Sequence, residues 1–173
     1  MDIKVIDNFL SYDELNSIKN LFGLEPSSTI TIPLHYSSEV ANLREETSYW
    51  NYYFTHVFYD HDKPMSHNFD QIYNMFIPKF EKIYSVKSLL RCKLNFYPHT
   101  ETLREHGQHT DYPFSHYGAV FSLHTCDGFT RLYDGTTIPS VENRMLFFDP
   151  SLKHNSSTTT NYSGRRNINF NFL

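Results

Sequence analysis

The sequence predicts an α+β fold that is mainly β, with two early helices covering the outside of an antiparallel barrel or jelly roll. Three observations predict it. Aromatic residues make up 17% of the chain, a share that favours strands over a helical bundle. Helical periodicity is confined to residues 1–88, and from Leu89 onward the apolar period becomes two. The strand-like runs are then separated by short Gly, Asp, Pro and Asn signals.

Taken in order, Ile3 to Phe9 reads as a short strand containing Val5 and Phe9. Ser11-Tyr12-Asp13-Glu14 is a capping box, in which Ser11 accepts from the third backbone N–H and Glu14 reaches back. The helix it opens carries Leu15, Ile18, Leu21 and Phe22 on one stripe, and Gly23 ends it. Residues 25–48 are polar and turn-rich, irregular with room for one strand, and the aromatic block Tyr49 to Tyr59 returns to strand. A second helix starts near Asn68 and buries Phe69, Ile72, Phe76, Phe80 and Ile83; Pro78 inside it predicts a kink or a split.

In the strand-rich part Leu90, Cys92, Leu94 and Phe96 alternate with Arg91, Lys93, Asn95 and Tyr97. Tyr117 to Thr125, Phe129 to Tyr133, Arg144 to Phe148 and Arg165 to Leu173 follow as strands. The last one is two-faced. Arg165, Asn167, Asn169 and Asn171 share one face, and Arg166, Ile168, Phe170 and Phe172 share the other. A polar face of that kind is expensive in an apolar core but natural along a wet cavity.

With 173 residues the chain fits one domain, residues 1–88 supplying a strand and supporting helices and 89–173 the core strands. A chain of this size buries about 70% of its unfolded surface. The formal charge of −4, with scattered Lys and Arg, gives no basic footprint for nucleic acid. Met1-Asp2-Ile3-Lys4 is no apolar leader, no run reaches membrane-span length, and two cysteines make no disulfide framework. A soluble cytoplasmic protein is the expectation.

The chemistry concentrates in His109-Thr110-Asp111, then His154, then Arg165-Arg166. Two imidazoles and a carboxylate occupy one face of an octahedral metal and leave the other open, the donor set suited to Fe(II). Arg165, eleven residues beyond His154 (165 − 154), is placed to receive an acidic co-substrate of that metal. Strand alternation favours it over Arg166, which is expected at the surface or rim. An isolated His-x-Asp is a common turn, and His106-Gly107-Gln108-His109 offers a rival imidazole pair. His116 and His124 read as pocket-wall or packed residues, His99 as a turn residue, Cys92 as a small buried hydrophobe and Arg144 as a salt-bridged strand starter.

At these residues the chain resembles the Fe(II)- and 2-oxoglutarate-dependent oxygenases, over most of residues 89–173. The resemblance rests on His109-Thr110-Asp111, on Met145-Leu146-Phe147-Phe148 leading into Asp149, on His154, and on Gly164-Arg165. The opening Val5-Ile6-Asp7-Asn8-Phe9-Leu10 is also similar to the start of many members. Leu94-Asn95-Phe96-Tyr97-Pro98 and Ile168-Asn169-Phe170-Asn171-Phe172 are similar to small viral and phage members with a prolyl-hydroxylase-like core.

The resemblance implies a double-stranded β-helix, with His109, Asp111 and His154 as catalytic ligands of Fe(II). It implies Arg165 as the partner of the distal carboxylate of 2-oxoglutarate, with Asn167, Tyr97 and Asn95 as further co-substrate contacts. Relatives often carry Ser or Thr where this chain has Asn167. The implied reaction uses O2 to hydroxylate a C–H bond of a small-molecule or peptide substrate, releasing succinate and CO2. Retention of Asp111 leaves no vacancy for a halide and argues against halogenation. Two other classes stay open: a cupin-like metal-binding protein or non-redox enzyme, which has no need of Arg165, and a structural viral jelly-roll protein.

Overall fold

The computed structural model describes residues 2–24, 31–41 and 49–173. The first of its two helices, α1 (Tyr12–Leu21), starts where the capping box places it. Ser11 Oγ accepts from the Glu14 N–H at 3.4 Å, and Glu14 Oε2 accepts from the Ser11 N–H at 2.8 Å. Gly23 follows in the left-handed region at φ 64°, which ends the helix.

The second helix, α2 (Phe69–Phe80), is a single element despite Pro78, so the split expected there does not occur. Proline removes the bond to the Asn74 carbonyl, but Asn74 and Pro78 are both on the exposed face near the helix end, where water replaces it. Ile72, Phe76 and Phe80 are fully buried, and Phe69 and Ile83 pack beside them. Among the described residues neither helix is long and apolar enough to cross a membrane.

Eleven strands complete the described fold: β1 (Lys4–Ile6), β2 (His35–Ser37), β3 (Tyr53–Asp60), β4 (Lys63–Pro64), β5 (Leu89–Pro98), β6 (Tyr117–Ser122), β7 (Phe129–Arg131), β8 (Thr137–Pro139), β9 (Arg144–Phe148), β10 (Asn155–Ser156) and β11 (Gly164–Phe172). The major sheet runs β1-β9-β6-β11-β5-β3-β2, with β4 paired to β3, and the minor sheet runs β10-β7-β8. Every strand pairing is antiparallel. The segment from Thr100 to Asp111 extends the minor sheet through bridges Glu105–Ser157 and His109–His154. The two layers form a double-stranded β-helix. The strand expected through Thr125 stops at Ser122, and the short β4, β8 and β10 lie where no strand was expected.

The outer face of the major sheet builds the core. Phe121, Phe147, Ile168, Phe170 and Phe172 meet Ile18, Phe22, Phe76 and Phe80 from the helices. Phe80 touches Phe147, Phe170 and Phe172 at ring centroid distances of 5.2, 5.1 and 5.3 Å. A second, smaller apolar cluster of Val120, Leu132, Leu146 and Phe148 closes one end of the space between the sheets. The remainder of that space is polar.

Candidate metal centre

A narrow cavity of about 40 Å³ lies between the sheets. Lys93, Asn95 and Tyr97 of β5, with Asn167 and Asn169 of β11, line one side; Thr130, His154, Asn155, Ser156, His109 and Asp111 line the other. The registers explain the first side, since β11 pairs with β5 as Arg165–Tyr97, Asn167–Asn95, Asn169–Lys93 and Asn171–Arg91. Each pair faces inward because the side-chain period is two.

His109 and His154 are fixed by the backbone. Each donates its N–H to the other's carbonyl at 2.9 Å, which sets their rings 4.5 Å apart. His154 Nδ1 lies 3.0 Å from the Leu152 carbonyl and His109 Nδ1 lies 3.5 Å from that of Gly107. Those carbonyls call for Nδ1–H and leave both Nε2 lone pairs for a metal. Phe148 packs edge-on against His154 at 4.9 Å. Asp111 is held by its N–H to the Pro150 carbonyl at 2.9 Å and sits 3.7 Å from His109 Nε2. One ligand atom from each of the three residues falls within 4.8 Å of the others. Among the described residues this is the one such cluster of three or more His, Cys, Asp or Glu.

The electrostatics prepare these groups for a cation. Burial, with His154 nearby, lowers the His109 imidazole to about 4, so it is neutral at pH 7. Burial also lowers His154. Burial would raise the Asp111 carboxyl, but Arg91, His154 and an Asn171 hydrogen bond outweigh it and hold it at about 2. Arg91 Nη2 lies 3.1 Å from Asp111 Oδ1, and Asn171 Nδ2 donates to Oδ2 at 2.8 Å. Asn171 also contacts His116 Nε2 at 3.1 Å, so His116 supports the wall behind the carboxylate.

Arg165 is 1% exposed and has no carboxylate partner among the described residues. Its Nε donates to Ser140 Oγ at 2.7 Å and its Nη2 to Thr130 Oγ1 at 2.8 Å, while Nη1 is buried without a partner among the described residues. Tyr97 lies beneath the guanidinium at 5.8 Å, and burial raises its phenol to about 12. Two glycines make room. A Cβ on Gly128 would stand 2.7 Å from Arg165 Cδ, and one on Gly164 would stand 2.0 Å from the Phe96 ring.

The other residues singled out in the sequence take varied places. Asn95 and Asn167 face the cavity but hold each other, Asn95 Nδ2 donating to Asn167 Oδ1 at 3.1 Å. Arg166 is not at the rim. It is buried and stacks over Phe96 at 4.3 Å on the face away from the cavity, where the ring face attracts the planar guanidinium and offsets part of its desolvation. His106 pairs through Nδ1 with Ser156 Oγ at 2.9 Å and stays outside the ligand cluster. His124 stacks on Tyr162, and Arg144 pairs with Asp7.

Sequence reasoning missed Thr130 and Ser140, hydroxyls that carry no motif. It also passed over Arg91 and Lys93, although the alternation of β5 already put them on the face of Asn95 and Tyr97.

No protein-family model matches this sequence, and no curated protein matches it. Solved structures do. An oxidoreductase of the 2OG-Fe(II) oxygenase family from Burkholderia pseudomallei superposes with a TM-score of 0.70 at 12% identity, covering 98% of this chain and 84% of its own. A Pseudomonas putida prolyl-4-hydroxylase gives 0.63 at 13% identity, covering 98% and 91%. The viral collagen prolyl hydroxylase of Paramecium bursaria Chlorella virus-1, in its 2OG complex, gives 0.60 at 14% identity, covering 98% and 94%. At such identities the likeness is one of fold: this chain shares, over nearly its whole length, the double-stranded β-helix of 2-oxoglutarate- and Fe(II)-dependent oxygenases.

Proposed function

We propose that the protein is an Fe(II)- and 2-oxoglutarate-dependent dioxygenase that hydroxylates a C–H bond of its substrate and releases succinate and CO2. The observation that carries this reading is the pairing of two features, one lining the cavity and one just behind its wall. A His-Asp-His cluster with free Nε2 lone pairs stands at one end, and a buried arginine with no counter-ion among the described residues stands by Thr130. A metal-binding barrel without a diacid co-substrate has no use for that arginine, and a structural jelly roll has no use for either.

The residues fit both groups. Neutral imidazoles and an ionised carboxylate are the donors Fe(II) takes, and His109, Asp111 and His154 would hold it. The bound iron supplies activation of O2 and the oxidative decarboxylation of the co-substrate. Arg91 and Asn171 orient Asp111, as outer-shell partners of metal ligands do.

Ser140 and Thr130 fix the plane of Arg165 and leave Nη1 to donate to the distal carboxylate. Thr130 accepts from Arg165 and keeps its own O–H to donate to the same group. Tyr97, un-ionised at neutral pH, offers a further O–H on that side. A five-carbon diacid needs more than about 40 Å³, so side chains of the lining have to shift for it to enter.

Slow conversion of 2-oxoglutarate to succinate without added substrate tests the reading. The wild-type protein with Fe(II) and O2 turns over, and His154→Ala lowers the rate at least about 100-fold, consistent with loss of a metal ligand. Full turnover in His154→Ala would mean the ligands are misassigned.

A further inference from the structure

A second cavity, about 240 Å³, shares Lys93, His109 and Asp111 with the first and adds Ser37, Glu39, Ala41, Tyr53, Arg91 and Thr110. It therefore reaches the metal ligands from another side, and it is large enough for a small molecule. Its walls are polar almost throughout, which suits neither an aliphatic nor an aromatic substrate.

Two cations, Arg91 and Lys93, face two carboxylates, Asp111 and Glu39, but only Arg91 and Asp111 are joined as an ion pair. Arg91 is neutralised by Asp111 at 3.1 Å, yet its Nε is buried with no partner among the described residues. Lys93, two residues on and on the same face, has no hydrogen bond and no ion pair among the described residues; its amine lies 5.6 Å from the centre of the Tyr53 ring. Burial and then Arg91 lower that amine to about 8, so it is still mostly charged at pH 7. A half-buried cation with no acceptor among the described residues is unfavourable unless a ligand or water supplies one.

We propose that Lys93, assisted by Arg91, binds an anionic group of the molecule that is oxidised, which is thus a small polar compound carrying a carboxylate or a phosphate. This rests on the dioxygenase reading only for the word oxidised; the anion site stands on the cavity and its charges. Arg165 is the anion-binding residue for the co-substrate, and Lys93 is its counterpart for the substrate. Glu39 and Ser37 provide acceptors for the rest of such a molecule. An uncharged peptide residue would leave Lys93 unmatched.

The first arm of the test uses sulfate as probe, titrated by calorimetry into metal-free protein with ionic strength held constant by chloride. The proposal expects a saturable site that weakens at least tenfold in Lys93→Met and recovers in Lys93→Arg. Lys93→Gln provides a second neutral variant, and circular dichroism confirms that each variant is folded. A sulfate site lost in Arg165→Ala but kept in Lys93→Met would overturn the proposal.

The second arm measures stimulated succinate release with matched pairs: N-acetyl amino acids against their amides, and nucleoside monophosphates against nucleosides. Stimulation by the charged member of one pair type supports the proposal and separates carboxylate from phosphate. Stimulation by neutral members alone contradicts it. A Lys93-dependent sulfate site in a protein without metal-dependent 2-oxoglutarate binding would refute the dioxygenase reading and leave the anion site in place.

Discussion

The two faces of β11 are made by the same nine residues and have opposite tasks. Ile168, Phe170 and Phe172 enter the aromatic core beneath α2, where Phe170 touches Phe76 and Phe80 at 4.9 and 5.1 Å. Arg165, Asn167, Asn169 and Asn171 turn the other way and are just as buried, yet they meet Ser140, Thr130, Asn95, Asp111 and His116. Burial therefore does not distinguish the faces; unmatched polarity does. On the apolar face the single orphaned atom among the described residues is Arg166 Nε, at the start of the strand, and Ile168, Phe170 and Phe172 carry no polar group to match. On the polar face Arg165 Nη1, Asn169 Oδ1 and Asn171 Oδ1 lack partners among the described residues, each a place where a ligand or water has to complete the structure.

The sharpest way to break this contrast is to remove one side chain from each face. Phe170→Ala opens a cavity in the core and lowers stability by about 3–5 kcal/mol in denaturant titration. Asn169→Ala, one residue away, changes stability by less than about 1 kcal/mol, since it removes an unsatisfied group rather than packing. Equal losses would mean that the polar face is simply core.

Asn171→Leu comes next, because it keeps the volume and deletes the hydrogen bond to Asp111 Oδ2. Metal affinity should fall on the order of 10- to 100-fold while the fold survives. Unchanged affinity for Mn(II) would show that Asn171 does not orient the carboxylate.

The pH dependence of the metal-free protein follows from His106, His124 and His154, which are buried, and His109, which is half-buried. His109 and His124 are lowered to about 4, His106 to about 3, and His154 is lowered as well, each first by burial. Their folded values lie below the unfolded value near 6.5, so between about pH 6.5 and 4 the unfolded chain binds more protons. Stability is therefore full above pH 6.5 and falls on acidification through that window. A drop in Tm of at least about 5 °C between pH 7 and pH 5 is expected by calorimetric scanning. A flat profile would mean that these rings are hydrated.

What was legible in the sequence was local or periodic. The Ser11–Glu14 capping box and the alternation of β5 and β11 each follow from spacing alone, and alternation selected Arg165 over Arg166 for the cavity face. What was not legible depends on distant partners. Strands β4, β8 and β10 are two or three residues long and exist through pairing with β3 and β7. Ser140 and Thr130 meet Arg165 across 25 and 35 residues of chain. Arg166 is buried because Phe96, on the neighbouring strand, offers a ring to cover.

The central claim is that one cavity holds a metal and a diacid together, and anaerobic calorimetry with Mn(II) and 2-oxoglutarate tests it most directly. 2-Oxoglutarate is expected to bind only with metal present, and Arg165→Ala to weaken it about tenfold or more while Arg166→Ala leaves it within about twofold. Binding of 2-oxoglutarate without metal, or a larger loss in Arg166→Ala than in Arg165→Ala, would contradict it.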